Sequence, residues 1–201
     1  MQSIENKVLS RIYGKKRGWA FTPVHFTDLG SPESIRKALQ ALDGRRVIRR
    51  LARGLYDYPK QHPKLGLLTP TPEEIATALA GRDQTRIQPV GAYAANQLGL
   101  SLQVPAKLVF LTDGPNRTVD VGNQTITLRH TTPRNMAAAG RVSGLVIQAL
   151  RHLGQKNVDD EVINKLKQRL TAKDRAVLVR DIKSAPAWIA EIIRRIAAKD
   201  E

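Results

Sequence analysis

The 201-residue sequence contains no cysteine, which excludes disulfides and thiolate metal sites at once. Its four histidines, His25, His62, His130 and His152, stand far apart and form no H-x-x-x-H or H-E-x-x-H pair, so metal catalysis has no sequence support and no metal or cofactor is expected. Aromatic residues make up only 4%, leaving few of the flat faces on which RNA-binding proteins stack bases. No apolar run approaches the roughly 20 residues of a membrane span, and residues 1–7 lack the apolar core of a signal peptide. A cytoplasmic chain without membrane attachment is therefore expected. Acid is scarce as well: 18 Asp and Glu stand against 33 Lys and Arg, a formal +15 with a pI near 10.6. Such an excess attracts polyanions, nucleic acid ahead of an anionic membrane surface.

What is present is ordinary globular composition, 41% hydrophobic and 25% charged, which is enough to fold, and the length allows one domain or two. Pro59, Pro63, Pro70 and Pro72 punctuate residues 58–72, a stretch that can neither continue a helix nor sit in a central strand and that reads as a linker. Residues 1–65 hold fourteen basic and five acidic side chains, a net +9, and the longer remainder holds nineteen and thirteen, a net +6. The division expected is an N-terminal domain over 1–62 and a C-terminal domain over 63–201.

In the first part, Ile4, Val8, Leu9 and Ile12 share one side of a helix over about 3–13, which Gly14 and Lys15-Lys16-Arg17-Gly18 interrupt. Thr22-Pro23 opens a short second helix carrying Val24, Phe26 and Leu29, closed by Gly30. Ser31 caps a third helix with Pro32 at its first position, and Ile35, Ala38, Leu39 and Leu42 fall at i, i+3, i+4 and i+7 as its buried stripe. Val47-Ile48, a tip near Arg53-Gly54 and residues 55–58 then describe a hairpin. Three short helices before a basic hairpin is the order of a winged helix, whose third helix enters the major groove while the wing lies along the phosphates. On that reading Ser31, Ser34, Arg36, Lys37 and Gln40 face the groove, Arg49, Arg50 and Arg53 hold phosphates, and Lys15, Lys16 and Arg17 add backbone contacts. Trp19 and Phe21 are expected in the core, with Tyr56 and Tyr58 packing the hairpin on the first helix. The same elements could form a protein-binding module, and charge runs are commonly solvated faces; the density of positive charge on so short a segment favours DNA.

In the second part, Thr71-Pro72-Glu73-Glu74 is a capping box opening a helix through Ile75, Ala78 and Leu79, and another helix is expected over about 92–98. Residues 107–112 read as a strand, 113–116 as a turn, and 117–122 and 123–131 as two strands joined at Gly122-Asn123. From Arg141 the pattern is helical, with stripes through Val142, Leu145, Val146, Ala149 and Leu153 and through Val158, Val162, Leu166 and Leu170. A last helix from 184–186 carries Ile189, Ile192, Ile193 and Ile196, read as core; Arg194, Arg195 and Lys199 complement its dipole. The fold class is α+β: a winged helix-turn-helix followed by a mixed domain with a small antiparallel sheet and several helices. Asp113 and Asp120 lie at strand ends where a nuclease would hold a metal, but no E-x-K triplet follows and both read as turn residues. No P-loop, G-x-S-x-G or G-x-G-x-x-G is present, so no catalytic residue is assigned and the chain is read as a non-enzyme.

The segments FTPVHFTDLGSPESIRKALQALDGRRVIRRLARGLYDYPK and VGAYAANQLGLSLQVPAKLVFLTDG resemble the AbiEi family of bacterial type IV antitoxins. The marks are Gly30-Ser31, Ile48-Arg49-Arg50, Arg53-Gly54-Leu55-Tyr56 and the ANQLGLSLQVP stretch over 95–105, and the resemblance covers most of the chain. It implies a two-domain antitoxin whose winged helix binds double-stranded DNA at inverted repeats in its own promoter and represses it, while the C-terminal domain carries antitoxicity. It also implies a nucleotidyltransferase-like toxin as functional partner, countered without a stable complex, so no toxin-binding residue is carried over. A palindromic operator can be filled by a dimer or by monomers binding cooperatively side by side. The readings left open beside it are a stand-alone winged-helix repressor, a metal-dependent nuclease using the C-terminal sheet, and an RNA- or ribosome-associated protein drawn by charge.

Overall fold

The computed structural model describes residues 3–81 and 85–198 of an α+β chain. Helix α1 (Ile4–Tyr13) starts at Ser3, whose hydroxyl accepts the Asn6 N–H, and buries Val8 and Ile12. Strand β1 (Ala20–Phe21), a 3-10 turn (Pro23–Phe26), α2 (Pro32–Gly44), β2 (Arg49–Ala52) and β3 (Leu55–Asp57) follow. Helix α2 begins as its sequence demands, the Ser31 hydroxyl accepting the Ser34 N–H with Pro32 in the first turn, and it buries Ile35, Ala38, Leu39 and Leu42. The three strands form an antiparallel sheet in the order β1-β3-β2, and the element order is compatible with a winged helix. The core joins the buried faces of α1 and α2 to Phe21, Phe26, Ile48 and Tyr56, each large side chain contributing roughly 1.5–3 kcal/mol on burial. Phe21 meets Phe26 edge-on at 5.4 Å, and Tyr58 packs on Tyr13 of α1 at 5.7 Å.

Two expectations are corrected here. The second helix is of 3-10 type and spans only Pro23–Phe26: His25 Nδ1 accepts the Thr22 N–H at 3.1 Å, which closes the turn on itself. Val24 is exposed, while Phe26 carries the packing. Residues 58–72 are not a structureless linker, since β4 (Lys60–His62) and β5 (Gly66–Leu68) pair as an antiparallel hairpin. Pro59, Pro63 and Pro70 flank these strands, where no ladder N–H is required. Helix α3 (Pro72–Ala80), opened by the expected Thr71–Glu74 capping box, lies against β1. The first compact unit accordingly takes in Met1–Thr85 with Val119–Ile126, running past residue 62; the second takes in Arg86–Thr118 with Thr127–Glu201.

A four-stranded sheet has the order β6-β7-β9-β8, with β6 at Ile87–Pro89, β7 at Lys107–Thr112, β8 at Arg117–Val121 and β9 at Gln124–His130. The sequence pattern did not mark β6, a three-residue edge strand ending in proline that pairs Ile87 with Thr112 and Pro89 with Phe110. Helix α4 (Gly91–Gln97) packs with α5 (Val142–Leu153), and α6 (Asp160–Arg169), α7 (Ala172–Arg180) and α8 (Ala187–Ala197) complete a helical core around Leu98, Val146, Leu150, Leu166, Leu178 and Ile193. Ile189, Ile193 and Ile196 are fully buried, so the α8 stripe is core. Arg194 pairs with Glu191 and Arg195 with Asp160; Lys199 lies outside the described residues. On the buried face of α5, Gly144 lets the Ala138 carbonyl and Gln88 Oε1 approach so closely that a Cβ would sit 2.3 Å from each. Among the described residues no helix is long and apolar enough to cross a membrane.

Candidate nucleic-acid interface

Packing of the α2 stripe into the core leaves Glu33, Arg36, Lys37 and Gln40 exposed on the opposite face. Lys37 reaches Glu33 one turn back at 2.8 Å, but both are well exposed, and such a pair contributes only about 0.3–0.5 kcal/mol and yields readily to a stronger partner. Arg36 and Gln40 make no hydrogen bond or ion pair with any described residue. Ser31 and Ser34 have their hydroxyls 2.9 Å apart at the helix start, where Ser31 also holds the Ser34 N–H. Their first task is to cap α2.

The hairpin β2–β3 separates its three arginines into two roles. Arg53 stands exposed at the tip beside Gly54, which takes the left-handed φ of +73° that a tight turn requires, and Arg53 has no partner among the described residues. Arg50 is also exposed, its side chain making one long contact of 3.4 Å to the Ala52 carbonyl. Its backbone N–H donates to Asp43 Oδ1 at 3.2 Å, which fixes the start of β2 to the last turn of α2. Arg49, expected to hold phosphate, is occupied inside the fold. It donates from Nε and Nη2 to both oxygens of Asp57, at 3.1 and 2.6 Å, and from Nη2 to the Leu68 carbonyl at 2.8 Å. Asp57 is wholly buried, so its charge needs that partner, and Arg49 thereby ties β2 to β3 and β5.

The basic run before β1 is also set apart from the hairpin tip. Gly18 N–H donates to the Tyr58 carbonyl and Tyr58 N–H to the Trp19 carbonyl, so this loop lies beyond the Asp57 end of β3, whereas the tip precedes Leu55 at the other end. Arg17 stacks on Tyr58 at 4.7 Å and donates to the Pro59 carbonyl, Lys15 lies over the Trp19 ring at 5.6 Å, and Lys16 is exposed without a side-chain partner. These three residues form a second basic patch.

One residue escaped the sequence reading. Arg46, between α2 and β2, is exposed, makes no side-chain hydrogen bond or ion pair with a described residue, and adopts a left-handed φ of 58°, the one non-glycine with positive φ among the described residues. Gly44 is the natural helix stop in the sequence, yet α2 runs through it and the chain turns at Arg46 instead. A side chain in that conformation costs roughly 1–2 kcal/mol, so the surrounding fold holds it there.

The two strand-end acids have structural partners. Asp113 accepts the Arg86 backbone N–H and Nε–H, both at 2.8 Å, and this hydrogen bonding from Arg86 holds its carboxyl below the usual range in spite of partial burial. Asp120 accepts the Thr125 hydroxyl at 2.7 Å. Among the described residues no three His, Asp or Glu side chains group in a way that could hold a metal ion.

No curated protein and no solved structure matches the chain. A family model does, over residues 7–178, which takes in most of α1, the β2–β3 hairpin, the four-stranded sheet and the helices through most of α7. The chain belongs to the DUF6088 family, a family of unknown function.

Proposed function

We propose that this protein reads double-stranded DNA with its N-terminal unit, represses the promoter from which it is expressed, and serves as the antitoxin of a type IV toxin-antitoxin pair. The observation that carries the DNA-binding part is the unopposed polar face of α2: Arg36, Lys37 and Gln40 point away from the core, with Arg46 following the helix and Arg53 at the hairpin tip, and no strong acidic partner neutralises them. A guanidinium or amide on a helix face can form the paired hydrogen bonds that distinguish base edges in the major groove, while Arg46, Arg50 and Arg53 supply sequence-independent phosphate contacts. Support for the repressor-antitoxin role comes from the resemblance to the AbiEi family across the same segments. The toxin would be a nucleotidyltransferase-like protein encoded beside it.

The test is a gel-shift titration with the DNA upstream of the gene against scrambled DNA of equal length, at two salt concentrations. Preference for the upstream DNA should survive the higher salt, and Arg36→Ala with Lys37→Ala should weaken it by about 1–3 kcal/mol. Equal, salt-labile binding to both DNAs would overturn the sequence-reading role. Antitoxicity is checked by co-expression: growth arrested by the neighbouring nucleotidyltransferase-like protein should resume when this chain is supplied, and continued arrest removes the antitoxin assignment while leaving repression standing.

A further inference from the structure

In the second unit, a cavity of about 330 Å³ is walled by Val90 and Val109 and ringed by Lys107, Arg129, Arg151 and His152. These four basic side chains come from three different elements: Lys107 opens β7, Arg129 lies near the end of β9, and Arg151 and His152 occupy the last turn of α5. Among the described residues no acid lines the cavity, and none of the four side chains makes an ion pair or hydrogen bond with a described residue. Arg151 and His152 alone could be explained as cations complementing a helix C-terminus. That explanation does not reach Lys107 and Arg129, which lie on strands. Two of the last-turn carbonyls of α5 are moreover satisfied by other groups, Leu150 by the Gly154 N–H and Leu153 by the Asn157 amide.

A second observation comes from the floor. Gln148, one turn before Arg151 on the same face of α5, is only 8% exposed, yet its side-chain amide has no partner among the described residues. It lines this cavity and also an adjoining one of about 300 Å³, which Arg151 shares and to which Arg134 contributes another cation without an ion pair. The amide lies on the cavity lining and makes no hydrogen bond to a described residue, so it is available to a group that enters the cavity. An amide both donates and accepts, which suits a heterocycle edge, whereas three permanent cations suit a chain of phosphates.

We propose that this cavity binds a nucleoside 5′-di- or triphosphate, with Lys107, Arg129 and Arg151 on the phosphates and Gln148 pairing with a polar edge of the base. The site lies within the second unit and its existence does not depend on the DNA-reading assignment of the first. A volume of this size falls in the range of small-ligand clefts, roughly 300–1,000 Å³, and is too small for a duplex.

The experiment is calorimetric titration of the full chain with ATP, GTP, CTP and UTP, with inorganic tripolyphosphate, and with a twelve-nucleotide single-stranded DNA, at 150 mM salt. At least one nucleotide should bind more tightly than tripolyphosphate. Arg129→Ala and Arg151→Ala should each weaken it roughly tenfold, the scale of a lost charged hydrogen bond, and Gln148→Met should remove the advantage over tripolyphosphate. Lys173→Ala, an equal charge change on α7, should leave binding unchanged, and so should Arg36→Ala with Lys37→Ala, which separates this site from the DNA face. Losses from Arg129→Ala and Arg151→Ala no greater than that from Lys173→Ala would overturn the site by reducing it to bulk attraction by a basic protein. Equal affinity for tripolyphosphate, or displacement of the nucleotide by the single-stranded DNA at equal nucleotide concentration, would overturn its assignment to a nucleotide.

Discussion

Both units carry cations that no described carboxylate neutralises, but they present them in opposite ways. The first displays Arg36, Arg46 and Arg53 on a helix face, a helix-to-strand junction and a hairpin tip. The second gathers Lys107, Arg129 and Arg151 around a cavity with an unpartnered amide at its floor. A protruding helix and hairpin can follow the groove and backbone of a polymer, while a recess admits one small anion and excludes the polymer. Net charge alone, +15 across the chain, predicts attraction to polyanions in both cases; the shape behind the charge divides the two ligand classes. Within the first unit the same contrast separates neighbours. Arg49 and Arg50 are adjacent in sequence, yet one holds a buried carboxylate and the other faces solvent.

The sharpest way to break the comparison is to unfold the units separately, following Trp19 in the first and Trp188 in the second with the other tryptophan changed to phenylalanine. Asp57→Ala leaves the Arg49 guanidinium without its buried partner and should destabilise the first unit by about 3–5 kcal/mol in urea while sparing the Trp188 signal. Arg49→Ala should do the same by stranding Asp57, whereas loss of DNA affinity with unchanged urea stability would place Arg49 back among the phosphate contacts. Gly144→Ala should shift only the Trp188 transition, by about 1–3 kcal/mol, because the added carbon meets the Ala138 backbone carbonyl, which cannot rotate away.

Acid should also act selectively. In the second unit burial pushes the Asp181 carboxyl up, but hydrogen bonds from Ser143 and Arg141 and the charges of Arg141 and Arg180 outweigh it and hold the group below the ordinary carboxylate range; Asp113 is lowered by Arg86. A carboxylate whose folded-state pKa is depressed adds stability that is complete above its unfolded value, near 3.9, and disappears as pH falls through the folded value. Stability followed at Trp188 should therefore decline below about pH 4, and Asp181→Asn should flatten that decline. The smallest effects belong to the exposed cations. Arg53→Ala should leave both unfolding transitions in place and reduce the salt slope of DNA binding by about 1. Arg46→Gly should change stability by less than about 1 kcal/mol, since relief of the left-handed side chain offsets the entropy of glycine, but it should still weaken DNA binding.

How much of this was legible in the sequence follows from how local each determinant is. Ser31-Pro32 with the stripe from Ile35 to Leu42 specifies α2 by itself, and the same holds for the Thr71 capping box of α3 and the isoleucines of α8. The second helix of the expected helix-turn-helix starts at Thr22-Pro23 as expected but is of 3-10 type and ends at Phe26, because the His25 ring closes the turn, a local determinant that is not an apolar pattern. Helix α7 escaped notice because it buries only Leu178, so it shows no stripe. The candidate groove-facing residues followed directly from the placement of α2. The sorting of Arg49 from Arg50 and Arg53 did not, because it depends on Asp57 and Leu68, eight and nineteen residues away. The cavity was beyond reach for the same reason, since residues from position 90 to position 152 meet there only once the sheet and α5 have packed.

The absent side chain at Gly144 has a consequence in time as well as in space. Residues 131–141 form no helix or strand, yet the N–H groups of Asn135, Met136, Ala137, Ala139 and Arg141 each donate to the carbonyl three residues back, and Met136 is wholly buried. With the Ala138 carbonyl seated against α5, this irregular segment cannot lift off without opening the helix face beneath it. Its amides should exchange with solvent deuterium nearly as slowly as those of α5, and far more slowly than those of the segment over 101–106, where Leu102 is 97% exposed. A stretch that looks like a loop by its backbone angles would thus keep the clock of a helix.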